Sequence, residues 1–181
     1  MNLKKTMAEL GRDSVGEFRE KEKFPIAVVL DNIRSLNNIG SIFRSSDAFA
    51  AERICLCGIT AVPPSAEIHK TALGAEDSVS WSYYENTLDA LDELRRQGWT
   101  LCALEQTRES VSLEKFRPEP GKKYAVVLGH EVYGVDQAVV DACDVTLEIP
   151  QFGTKHSLNV AVTAGVVLWH LASNLLTAKN V

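Results

Sequence analysis

The chain has 181 residues, enough for one domain with a substantial core, and its 45% apolar and 24% charged residues are those of an ordinary soluble globular protein. A net charge of −5 argues against a protein that coats nucleic acid electrostatically. Cys55, Cys57, Cys102 and Cys143 form no C-x-x-C pair, each falls in or beside an apolar stretch, and the N-terminus does not resemble a signal peptide. Buried, reduced thiols in a cytoplasmic protein are expected.

Residues 1–23 hold six basic side chains (Lys4, Lys5, Arg12, Arg19, Lys21, Lys23) against five acidic ones, which predicts a solvated helical arm ahead of a domain over 24–181. Ile26 to Leu30 is short, β-rich and preceded by Pro25, and reads as a buried strand. A helix is expected from Ile39 to Ala50, a strand from Arg53 to Cys57, a short helix around Glu67 to Leu73 and a strand from Val79 to Tyr83. Leu88, Leu91 and Leu94 give Asn86 to Gln97 helical spacing, closed by Gly98. Strands follow over Trp99–Leu104, Tyr124–Leu128 and Val145–Ile149, with a short helix over Val135–Ala142 and a final one from Ser157 to about Leu176. This alternation implies an α/β fold: a mostly parallel sheet flanked by helices on both faces.

Ligands of parallel α/β sheets collect where strands end and loops begin, and three such loops carry suitable residues. In the first, Asn37 to Arg44, Gly40 permits close backbone approach and the Arg44 guanidinium can fork onto a phosphate or carboxylate; a capped helix with a surface arginine fits equally. In the second, Leu128 to Val135, Gly129 and Gly134 flank Glu131 and free main-chain groups for a ligand; a plain turn with a surface glutamate is the alternative. No Gly-Lys-Ser/Thr follows, and no G-x-G-x-x-G follows the first strand. In the third, Ile149–Pro150 ends a strand, Gln151 to His156 form a turn, and Ser157 is expected to cap the last helix with N–H groups facing a polar or anionic ligand.

His69, His130, His156 and His170 are dispersed without ligand spacing, so no metal is expected. No G-x-S-x-G elbow supports Ser157 as a hydrolase nucleophile. The apolar run Leu158 to Leu176 is broken by Asn159, Thr163, His170, Ser173 and Asn174 and lacks aromatic-and-basic flanks. A buried or partner-packed helix fits it better than a membrane span.

Taken in order, the three loops resemble the signature motifs of the SpoU (TrmH-type) RNA 2′-O-methyltransferases of the SPOUT superfamily. Asn38, Gly40 and Arg44 match the first motif; Leu128, Gly129, Glu131 and Gly134 match the second. Ile149, Pro150, Gly153, Ser157, Leu158, Asn159 and Val160 match the third. The resemblance covers roughly Phe24 to Leu176. Where members often carry Asp-Pro before the first-motif Asn, this chain has Ser35-Leu36-Asn37, and Gln151 stands where Met is frequent.

The resemblance implies a C-terminal deep trefoil knot, which ordinary topology rules would not suggest. It also implies a homodimer packed through the first and last helices, S-adenosylmethionine as cofactor, and an RNA substrate, with tRNA and rRNA both open. By the same resemblance, main chain around Gly129, Ile149 and Leu158 would hold adenosine, with Leu104 contributing. Arg44 would be the catalytic arginine, and Asn38, Glu131, Ser157 and Asn159 would position it and the ribose. Two rivals stand beside this reading: a non-catalytic RNA- or cofactor-binding module of the same fold, and an unrelated α/β nucleotide-binding enzyme that prefers NAD or ATP.

Overall fold

The computed structural model describes residues 1–11 and 13–179; Arg12, counted above among the arm's basic residues, lies outside the described residues. The arm forms two short helices, α1 (Met7–Leu10) and α2 (Val15–Glu20). Each opens on a capping box, Thr6 with Glu9 and Ser14 with Glu17. Arg19 of α2 donates to the carbonyl of Asp77, which docks the arm on the domain.

The core is a seven-stranded sheet, every neighbouring pair parallel. Its strands in chain order are β1 (Phe24–Asp31), β2 (Ala51–Cys57), β3 (Trp81–Tyr84), β4 (Trp99–Leu104), β5 (Val111–Ser112), β6 (Lys123–Leu128) and β7 (Val145–Glu148). Their spatial order is β3-β2-β1-β6-β4-β7-β5. The helices between them are α3 (Leu36–Ala48), α4 (Ala66–Ala72), α5 (Ala75–Ser78), α6 (Thr87–Arg96), α7 (Gln137–Ala142) and α8 (Val160–Lys179).

β1 shows why the apolar runs are continuous rather than alternating. Ile26, Val28 and Leu30 join the core beneath α3 and α8, while Ala27 and Val29 join a second core beneath α6 and α7. All five are at most 1% exposed, as a strand covered on both faces requires. Cys55, Cys57 and Cys102 are buried in these cores and Cys143 is half-buried.

Several boundaries differ from those expected. Pro25 lies inside β1 rather than before it, next to a register shift between Phe24 and Ala27. α3 starts at Leu36, three residues early, because Ser35 caps it by accepting from the Asn38 N–H at 3.3 Å. α8 starts at Val160, not Ser157: the Asn159 side chain accepts from the N–H groups of Ala161 (2.9 Å) and Val162 (3.3 Å) and is the cap. Gly40 does provide close approach, but to a neighbouring helix. A Cβ there would lie 2.1 Å from Thr71 Oγ1 and 2.3 Å from the Ile68 carbonyl of α4.

Candidate active site

The sheet order brings together the carboxyl ends of β6, β4 and β7, so the loops leaving Leu128, Leu104 and Glu148 share one rim. Between them lies a cleft of about 730 Å³, within the range of roughly 300–1,000 Å³ usual for small-molecule sites. Leu104, Leu128, Leu147, Ile149, Leu158 and Val160 give it apolar walls. All four residues expected at a cofactor, Leu104, Gly129, Ile149 and Leu158, line it, as do Glu131, Ser157 and Asn159.

The loop after β6 is tightly folded. Gly134 N–H donates to the His130 carbonyl at 2.8 Å, and His130 Nδ1 accepts from the Val132 N–H at 3.0 Å. The chain doubles back so closely that a Cβ at Gly129 would sit 2.2 Å from Gly134 C and from Val135 N. Gly134 itself has φ +71°, which favours glycine. This turn aims Glu131 at the start of α3. Its carboxylate accepts from the N–H groups of Arg34 (3.0 Å) and Ser35 (2.9 Å) and from Asn38 Nδ2 (3.0 Å). Burial pushes the Glu131 carboxyl up, but those donors outweigh it and hold the group below its ordinary value.

Asn38 joins the first loop to the third, since its Oδ1 accepts from Asn159 Nδ2 at 3.1 Å. Three expected positioning residues, Asn38, Glu131 and Asn159, therefore form one network across segments far apart in sequence. Ser157 lines the cleft near them but is exposed and carries no cap. Arg44 stands apart. It is exposed on α3 and does not line the cleft. Six residues beyond Asn38, it lies about 120° around the helix and about 9 Å along it. Within one chain the arginine therefore stands outside the cleft lining.

Residues that the sequence reading passed over also shape the site. Glu105, Gln106 and His130 line the cleft, and the position of Glu105 and Gln106 at the carboxyl end of a parallel strand was the available signal.

The sequence model of the SpoU rRNA Methylase family matches residues 25–169. The chain belongs to that family. It is 36% identical over 148 residues to the 23S rRNA (guanosine-2′-O-)-methyltransferase RlmB of Nitrosomonas europaea, covering 80% of this chain and 54% of that relative. The chain thus spans little more than half the length of that curated relative. The AdoMet-bound rRNA methyltransferase of Sinorhizobium meliloti superposes with a TM-score of 0.78 at 27% identity, over 87% of this chain and 60% of that one. The A. aeolicus TrmH/SpoU tRNA modifying enzyme shares the fold, with a TM-score of 0.80 at 24% identity over 91% and 82% of the two chains.

Proposed function

We propose that the chain transfers a methyl group from S-adenosylmethionine to a ribose 2′-hydroxyl of RNA, with ribosomal RNA favoured by the relatives' names and transfer RNA the other candidate. The observation that carries the reading is the convergence of Asn38, Glu131 and Asn159 beside an apolar, glycine-edged cleft. The cleft fits the cofactor chemically. Leu104, Ile149 and Leu158 offer a dry slot for adenine, and Gly129 brings main chain to the cleft wall where adenosine would lie. Bound there, S-adenosylmethionine would supply an electrophilic methyl group.

The protein's share is then alignment and proton removal. A guanidinium, planar and charge-delocalised with donors only, is a poor base. The role of Arg44 is to grip the adjacent phosphate and stabilise charge developing on the ribose oxygen. Asn38, Glu131, Ser157 and Asn159 position the ribose and the start of α3.

Arg44 reaches that chemistry in a homodimer. On α8, Val162, Val166, Trp169 and Leu176 are 53%, 39%, 61% and 53% exposed. Their spacing of four, three and seven residues forms the seam by which helices pair. Phe49 at the end of α3 packs at a tilt against Trp169 with ring centroids 5.9 Å apart, so the seam borders the α3 stripe of Asn37, Ser41, Arg44 and Ala48. A two-fold partner seated on α8 would cover that stripe and turn Arg44 toward the partner's cleft. This accounts for the most apolar helix, whose window Val160–Thr177 has a mean hydropathy of 1.5, without a membrane. The same reading includes a trefoil knot in the C-terminal half, supported by β4 lying between β6 and β7. It also includes a division into an arm over 1–23 and a methyltransferase domain over 24–181 in a cytoplasmic protein.

Arg44→Ala tests the reading: it should leave S-adenosylmethionine binding intact and abolish nearly all methyl transfer to RNA. Near-normal turnover would refute the role of Arg44. Tight cofactor binding by the unaltered protein with no methylated RNA of any kind would point instead to a binding module.

A further inference from the structure

The links among Asn38, Glu131 and Asn159 close only one side of the cleft rim. Two residues outside the three motifs close the other. Glu105 directly follows β4, and its own N–H donates to the Leu147 carbonyl at 3.1 Å, which roots it against β7. Its Oε2 accepts from the Val135 N–H at 3.0 Å and its Oε1 from the Gln106 N–H at 2.9 Å. Gln106 Nε2 then donates to the His156 carbonyl at 2.7 Å. The hydrogen bonds run around the cleft, from α3 to the loop 129–135, through Glu105 and Gln106 to the loop 151–159, and back through Asn159 to α3. Gly134 fits this arrangement, since a Cβ there would lie 2.1 Å from Glu105 Oε2.

We propose that Glu105 and Gln106 are positioning residues, a two-residue brace on the end of β4 that holds the loops 129–135 and 151–159 at the separation the ligand requires. The proposal rests on the cleft being the S-adenosylmethionine site. Neither side chain need touch the ligand. Their carboxylate and amide act on the Val135 N–H and the His156 carbonyl, and those bonds set where Gly129, Ile149 and Leu158 stand.

The test uses the full chain, with calorimetry against S-adenosylmethionine, thermal melting, and amide exchange of the free protein. Glu105→Ala and Gln106→Ala should each weaken binding by about tenfold, because the ligand must then order loops that the brace no longer holds, with at most a small fall in Tm. Glu105→Gln keeps an acceptor for Val135 while giving up the one for the Gln106 N–H, and should bind more tightly than Glu105→Ala. Gln106→Glu loses its donor and should bind as weakly as Gln106→Ala. Exchange at Val135 and at 156–158 should quicken in the weakened variants. Unaltered affinity in both alanine variants would overturn the proposal. So would Glu105→Gln binding as poorly as Glu105→Ala, because the bond to the Val135 N–H would then contribute nothing. Should Glu105→Ala fail to fold, the exposed Gln106 variants decide alone. Should the unaltered protein not bind S-adenosylmethionine, the cofactor reading fails separately. Amide exchange still decides the brace: quickened exchange supports it and unchanged exchange overturns it.

Discussion

Asn159 donates through Nδ2 to Asn38 Oδ1 across 3.1 Å, joining residues 121 positions apart. Neither amide is free to turn. Asn159 Oδ1 is committed to the first N–H groups of α8, and Asn38 Nδ2 is committed to Glu131. Two substitutions separate these duties. Asn159→Ala removes cap and link together and should cost about 1 kcal/mol of stability, read as a lower Tm. Asn159→Asp keeps the cap acceptor but cannot donate to Asn38. It should melt close to the unaltered protein at neutral pH while losing methyl transfer as fully as Asn159→Ala.

Two motif glycines should respond in opposite ways. Gly129→Ala forces a Cβ into backbone 2.2 Å away, and overpacking of this kind costs about 1–3 kcal/mol. Tm and S-adenosylmethionine affinity should both fall. Gly153 has open space around its would-be Cβ and no positive φ, so Gly153→Ala should melt as the unaltered protein does.

Acid should loosen the site through Glu131. Its carboxyl is held below the ordinary 4.5 in the folded protein, so its contribution to stability is complete above that value and is lost as pH falls through the lower folded one. The Tm difference between the unaltered protein and Glu131→Gln should therefore be largest near neutrality. It should shrink below about pH 4.5. A difference independent of pH would show that the carboxylate charge is not what Arg34, Ser35 and Asn38 hold.

The thiols should be inert in the folded protein. Burial pushes Cys55 up to about 11 and Cys57 and Cys143 up to about 12, and raises Cys102 as well. A thiol-specific reagent at pH 8 should label them slowly, Cys143 first because it is least covered, and all four quickly in denaturant. Raised values carry the opposite sign to that of Glu131. Stability present below the ordinary thiol value of 9.0 is lost as pH rises toward the folded ones, so Tm should decline in alkali.

Trp169→Glu puts charge in the middle of the exposed α8 seam, on a side chain that is 61% exposed. It should leave the fold intact, convert a dimer to monomer in sedimentation equilibrium, and remove methyl transfer along with Arg44's access to a cleft. A dimer that persists would move the interface elsewhere.

Much of the fold was legible in the sequence because each buried strand is a short apolar run with its own punctuation. β4 was expected over its full extent, Trp99 to Leu104. α5 and β5, of four and two residues, are too short to carry periodicity and escaped notice. The start of α8 was misplaced because Ser157 and Asn159 are both capping residues; only the fold reveals which side chain turns back on the helix. Sheet order was not legible at all, since β1, β4 and β6 are interchangeable as apolar runs. The site followed the same division. Asn38, Glu131 and Asn159 came forward through the resemblance of their motifs to those of the family, whereas Glu105 and Gln106 act through the loops they touch, which neighbouring sequence does not reveal. Arg44 was readable as chemistry but not as direction.

The seating of β4 between β6 and β7 has a last consequence. β4 pairs only with β6 and β7, both of which follow it in the chain, so the rim of the cleft cannot assemble until β7 has been made. During synthesis the lining stays incomplete until the start of α8 has left the ribosome, because Val160 and Thr163 belong to it. Ligand affinity is therefore a gauge of completed folding, and a chain cut short before Asn159 would keep all seven strands while losing the cleft residues Asn159, Val160 and Thr163.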